Sequence, residues 1–77
     1  MSRSLTYSDG VAVEPFDHVE LLLDGGVFEG QVTAVYPRRG EVRVAYGDRR
    51  DPRRDGEPRR RAAVALVQQV ELIRRDG

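Results

Sequence analysis

The side chains with the most chemistry to offer are arginines, and they crowd into one part of the chain. Residues 47–61 read GDRRDPRRDGEPRRR and hold Arg49, Arg50, Arg53, Arg54, Arg59, Arg60 and Arg61, while Arg38 and Arg39 sit in a turn shortly before them. A guanidinium is planar, always charged, and grips a phosphate or carboxylate through two parallel hydrogen bonds, which an ammonium does not. Such groups along one rim of a small domain would hold a nucleic-acid backbone by displacing counterions, with steep salt dependence and little reading of base sequence. Asp51, Asp55 and Glu57 are interleaved with them. A solvated loop of alternating charge, paired within itself, is therefore the competing reading. All 13 basic residues are arginine and none is lysine; a GC-rich coding sequence explains that without invoking function.

Catalytic chemistry is thin. His18, the only histidine, adjoins Asp17, but neighbours at the start of a strand point to opposite faces, so they read as two surface residues rather than a dyad. Ser2, Ser4 and Ser8 lie in the N-terminal stretch, no glycine-rich loop leads into a helix, and no carboxylates have metal-ligand spacing. There is no cysteine for a disulfide or a thiolate zinc site. The expectation is a non-enzyme that needs neither metal nor cofactor.

The elements that must carry the arginines follow from turns and alternation. Asp24-Gly25-Gly26 and Pro37-Arg38-Arg39-Gly40 are tight-turn signals between three runs of alternating apolar and polar residues. The alternation predicts strands over 18–23, 27–36 and 41–46. Val19, Leu21 and Leu23 share one face of the first, leaving Leu22 outward with Glu20. In the second, Phe28, Gly30, Val32, Ala34 and Tyr36 share a face, and Val27, Glu29, Gln31, Thr33 and Val35 take the other; Gly30 suggests a bend or bulge. In the third, Val42, Val44 and Tyr46 share a face. Residues 62–73 (AAVALVQQVELI) fit a helix, from the spacing of Ala63, Leu66, Val67, Val70 and Ile73, or two short strands about a turn at 67–69. The second reading completes five strands. Residues 1–15 read as a loosely held arm, residues 16–77 as the folded domain, and Phe16 as a plug at its end. Residues 48–61 read as an arginine-rich loop, long enough to be functional or disordered.

At 77 residues the chain is one domain near the lower limit for a self-sufficient core. No apolar run approaches the ~20 residues that span a bilayer, and the N-terminus lacks the apolar stretch of a signal peptide, so a cytoplasmic location is the default. The net charge of zero conceals a division. Residues 1–36 carry one arginine against six acids, a local charge of −5, and residues 37–61 carry ten arginines against five, a local charge of +5. Such segregation concerns partners more than fold. The acidic third of one molecule could meet the basic segment of another, with Leu22 in the interface.

The block Val19–Asp48 resembles the Tudor branch of the Royal family of SH3-like barrels. The matching pieces are Val19, Asp24-Gly25, Phe28-Glu29-Gly30-Gln31-Val32, Gly40, and Val42-Arg43-Val44-Ala45-Tyr46-Gly47-Asp48, with Val70-Glu71-Leu72-Ile73 resembling the last strand. In that family the last strand follows one turn of 3₁₀ helix. The resemblance implies a barrel face on which Phe28, Tyr36, Tyr46 and Asp48 could bind a ligand, with Tyr46 on a position of the family's aromatic cage. Cages of this kind hold methylated cations by attraction to the ring faces. Two other cage positions hold Val27 and Arg49, so the methyl-cation reading loses its walls. The Phe28–Val32 stretch and the closing segment are also similar to plasmid-encoded type II dihydrofolate reductases, which implies an oligomer. That family's reactive Val-Gln-Ile-Tyr is Ala62-Ala63-Val64-Ala65 here, so the reaction does not carry over.

The combined expectation is an all-β, five-stranded SH3-like (Tudor-like) barrel with a flexible N-terminal arm and a long loop between strands three and four. Its expected role is that of a small non-catalytic binding module touching nucleic-acid phosphates through the arginine-rich loop. The alternative is a protein partner or self-association, with a type II dihydrofolate reductase-like oligomer behind both.

Overall fold

Alternating apolar and polar side chains, interrupted at glycine-bearing turns, fold this chain into antiparallel strands. The computed structural model describes residues 5–48, 56, 57 and 59–75. They form β1 (His18–Leu23), β2 (Gly26–Tyr36), β3 (Glu41–Asp48), β4 (Arg59–Leu66) and β5 (Val70–Arg74), with 3₁₀ turns at Pro37–Arg39 and Val67–Gln69. One antiparallel sheet results, in the order β4-β3-β2-β1-β5. The fold is all-β as expected, but the sheet is open: β4 and β5 are its two edges.

The ambiguous 62–73 segment is two strands about a single turn, not a helix. Eight consecutive residues of β4 pair with β3, from Arg59 opposite Asp48 to Leu66 opposite Glu41. That pairing, with Ala63 and Ala65 turned inward, overrides the helix propensity of an alanine-rich run. Gln69 ties the crossing down. Its Oε1 accepts from Leu66 N at 3.2 Å and its Nε2 donates to the Leu22 carbonyl at 3.0 Å. At the β2–β3 turn, Gly40 adopts a left-handed φ of 66° and donates its N–H to the Pro37 carbonyl, which reverses the chain.

The core is a layer of aliphatic side chains from every strand: Val19, Leu21, Val32, Val42, Val44, Ala65 and Val70, all buried. Each fully buried valine or leucine contributes about 1.5–3 kcal/mol relative to exposure. Tyr7 and Val13 join them. Residues 5–15, the described part of the stretch 1–15 expected as an arm with at most one short edge strand, form a small hairpin packed on the sheet. Val13 N donates to the Leu5 carbonyl at 2.8 Å, Tyr7 N to the Val11 carbonyl at 2.9 Å, and Asp9 Oδ1 accepts from Val11 N inside the turn. Leu5, Tyr7 and Val13, spaced about the Ser8-Asp9-Gly10 turn, give this hairpin an apolar face that packs on the core.

Phe16 is not the expected plug; it is 69% exposed. Its N–H donates to the Val32 carbonyl and its carbonyl accepts from Gln31 Nε2. Those bonds hold it at a φ of 72°, a conformation that aims the ring at solvent, and Tyr7 fills the core in its place.

Gly30 is not the bulge either. β2 and β3 stay in register from Gly30 to Val32, and the shift falls between Val32 and Ala34. Thr33 is the extra residue, its hydroxyl donating to the Arg43 carbonyl. The shift inverts the alternation beyond it, so Val35 packs on the core rather than facing outward. Gly30 serves close approach: a β-carbon there would lie 2.5 Å from the Ala45 carbonyl oxygen and 2.7 Å from Val44 Cγ1.

The arginine-rich loop is shorter than 48–61. Asp48 ends β3, and Arg59, Arg60 and Arg61 are strand residues opposite Asp48, Gly47 and Tyr46. Among the described residues no helix is long and apolar enough to cross a membrane.

Candidate functional site

The β3–β4 ladder sets the arginines at one end of the sheet and gives each a different task. Asp48 is only 5% exposed, and a carboxylate withdrawn from water is costly unless it is paired. Arg61 supplies the pair, with Nε 3.2 Å from Asp48 Oδ2. Arg61 is thereby an anchor as well as a surface cation. Arg60, exposed and opposite Gly47, lines an open cleft of about 280 Å³ together with Glu29, Gln31, Ala45, Tyr46 and Glu57. The missing side chain of Gly47 leaves that room. Tyr46, packed against the core, meets the Phe28 ring, with centroids 5.0 Å apart and planes inclined at 46°.

The nine expected arginines do not share one rim. Arg38 and Arg39 occupy the β2–β3 turn, beside the Glu41 end of β3, while Arg59–Arg61 pair with its Asp48 end. At ~3.3 Å per residue the two groups are separated by roughly 23 Å along the strand. Arg39 instead lies over the Tyr36 ring, its guanidinium carbon 5.2 Å from the centroid. Tyr36 is thus at the far end of β2 from Phe28 and Tyr46, and the expected barrel-face set of Phe28, Tyr36, Tyr46 and Asp48 is divided. Arg49, Arg50, Arg53 and Arg54 lie outside the described residues. The cleft residues Glu29, Gln31 and Gly47 were not singled out by sequence; the outward alternation of β2 and a glycine following Tyr46 were the available signals.

A second polar cluster, also not anticipated, lies where the N-terminal hairpin meets the end of β5. Asp17, expected on the surface, is 1% exposed. It accepts the Tyr7 hydroxyl at 2.7 Å, Glu14 N at 3.0 Å, and Arg75 Nε and Nη2 at 2.7 and 2.9 Å. Arg75 Nη2 also reaches the Ala12 carbonyl at 2.7 Å, and its Nε lies 2.9 Å from Glu14 Oε2. Burial pushes the Asp17 carboxyl toward protonation, but the bonds from Arg75, Glu14 N and Tyr7 together outweigh it and hold the pKa below the usual carboxylate value. The Tyr7 phenol is pushed well above its ordinary value, first by burial and then by its bond to ionised Asp17. The Arg75 guanidinium is raised by the same carboxylate. A carboxylate engaged by four donors has little capacity left to take up a proton, so this cluster is a clasp and not an acid–base pair.

Among the described residues no group of three or more His, Asp or Glu side chains is placed to hold a metal ion. Comparison of the chain with known protein families, with characterised proteins and with solved structures finds no match in any of the three.

Proposed function

We propose that the protein is a small non-catalytic binding module that contacts nucleic-acid phosphates along β4 and the arginines preceding it. The observation that carries this reading is three consecutive exposed arginines on an edge strand, of which Arg60 has no ion-pair partner among the described residues. Glu29 and Glu57 line the cleft and repel an anion from it, so phosphates track along the β4 rim rather than enter. Tyr46 alone is no platform for stacking successive bases, and binding is therefore dominated by the backbone. The strand order, with β5 returning beside β1 after a 3₁₀ turn, supports reading the sheet as a Tudor-like variant of the SH3-like barrel.

The test is fluorescence anisotropy with labelled duplex DNA, single-stranded DNA and RNA at 50 and 200 mM salt. We expect micromolar binding at the lower salt that weakens steeply at the higher. Replacing Arg59 and Arg60 together by Gln should weaken all three ligands alike and reduce the log–log salt slope by ~1 for each phosphate that is no longer neutralised. Absence of binding at 50 mM salt, or binding indifferent to the double substitution, refutes the reading.

A further inference from the structure

The outward face of the sheet carries a charge pattern that phosphate contact leaves unexplained. Glu20 on β1 stands directly opposite Glu29 on β2 and directly opposite Glu71 on β5. All three are exposed, and among the described residues none has an ion-pair or side-chain hydrogen-bond partner. Directly opposed residues on antiparallel strands hold their β-carbons ~4.5–5.5 Å apart, and like charges at that spacing destabilise a sheet. The row continues in the other direction. One residue beyond the Gly30–Tyr46 pair, Gly47 lies next to Glu29 on β3, and Arg60 is opposite Gly47 on β4. Arg60 and Glu29 flank the same cleft. The row is thus cationic at the β4 edge, neutral on β3, and anionic across β2, β1 and β5. One step along the strands, Leu22 and Val27 oppose each other with 55% and 58% of their surfaces in water.

We propose that this face is the interface of a homodimer, in which Arg60 of each protomer meets Glu29 and Glu20 of the other. Rotation by 180° about an axis parallel to β3, lying over the outward face above Gly47, reverses the row, so Arg60 of each protomer falls over Glu29 of its partner with Glu20 beside it. A contact of residue i with j then implies the contact of j with i, which is the self-complementarity a two-fold interface demands. Gly47 at the axis presents no side chain and lets the two faces approach. The second copy supplies the cation that the glutamate row lacks in the monomer. This goes beyond phosphate contact, for which Arg60 is available only when the dimer is apart, and gives a specific face to the self-association that the segregated charge leads one to expect.

Sedimentation equilibrium of the full chain at 5–200 μM, in 20 and 500 mM salt, tests it. We expect a dimer at low salt whose dissociation constant rises at least about tenfold at high salt, as exposed charges are screened. Arg60→Glu and Glu20→Arg should each weaken the dimer by at least about tenfold. An equimolar mixture of the two variants should associate more tightly than either alone, because each offers the charge the other has lost. Glu20→Arg should also raise the melting temperature of the dilute monomer, since it breaks the like-charge row; a merely structural Glu20 would show no such opposition between fold and assembly. Four results would each overturn the proposal: a strictly monomeric wild type at 200 μM and low salt, a dimer indifferent to both substitutions, a mixture no tighter than its components, or a wild-type monomer that binds an oligoarginine peptide. The last would assign the face to a basic protein partner.

Discussion

Asp17→Asn tests how the N-terminal hairpin is held to the sheet. The substitution keeps the shape of a side chain that is 1% exposed and removes the charge that the Tyr7 hydroxyl, Glu14 N and two Arg75 nitrogens all address. It also turns an NH₂ group toward one of those donors. Hydrogen bonds to a charged group are worth about 1.5–3 kcal/mol each. The asparagine oxygen can still accept one or two of the four, and the arginine bonds count for less because that side chain is partly in water. A loss of about 3 kcal/mol at pH 7 follows. Against a total of roughly 4–12 kcal/mol for a domain of this size, that is a large fraction, and it should lower the melting temperature by about 12–24 °C. The pH dependence has a definite sign. The folded-state pKa of Asp17 lies below its unfolded value, so the contribution is complete above the unfolded pKa of ~3.9 and disappears as pH falls through the folded pKa. Urea unfolding followed by far-UV circular dichroism at pH 7, 5, 4 and 3 should show a constant gap between wild type and variant down to about pH 4 that then closes. Tyr7→Phe is the graded control: it removes one donor, leaves the carboxylate three, and should cost about 1–2 kcal/mol. Equal stability of wild type and Asp17→Asn at pH 7 would refute the reasoning, as would a gap that persists unchanged at pH 3.

Two further substitutions address the backbone. Gly30→Ala places a β-carbon against the Ala45 carbonyl and Val44, and backbone cannot move aside as a flexible side chain would. It should destabilise thermal unfolding by about 1–3 kcal/mol; a change under about 0.5 kcal/mol would mean that β3 does not need the approach. Phe16→Gly relieves a left-handed φ that costs an L-residue about 1–2 kcal/mol, set against the added freedom of glycine in the unfolded chain. The expected result is unchanged or slightly raised stability, and a loss above about 1 kcal/mol would reveal packing by the exposed ring.

The strands were legible because local signals agree with one another. Alternation in His18–Leu23 and Glu41–Tyr46, and turn chemistry at Asp24-Gly25 and Pro37–Gly40, need no distant partner to be recognised. What escaped depended on pairing. The bulge at Thr33 has no residue signature, so Val35 read as outward until the register with β3 was known. Arg59–Arg61 looked like loop by composition; opposite Asp48, Gly47 and Tyr46 they are strand. Phe16 outranks Tyr7 in hydrophobicity, yet backbone bonds to Val32 set its direction, and the Asp17 carboxylate gave the Tyr7 hydroxyl a buried partner. The candidate site divided for the same reason. Proximity in sequence grouped Arg38 and Arg39 with the later arginines, and the length of β3 separates them. The glutamate row emerges only when three strands are placed in register.

Arg75 stands 58 residues from Asp17, and this separation governs the order of events during synthesis. Chains emerge with the N-terminal part first, so Tyr7 and Asp17 leave the ribosome together while their cation is still untranslated. Until β5 is made, the Asp17 carboxylate has only a hydroxyl and a backbone amide to offset its burial. The N-terminal hairpin is therefore fully clasped only once Arg75, at the end of β5, is in place. The clasp couples two distant parts of the sequence: loss of the Arg75 guanidinium would release a hairpin that lies 58 residues away.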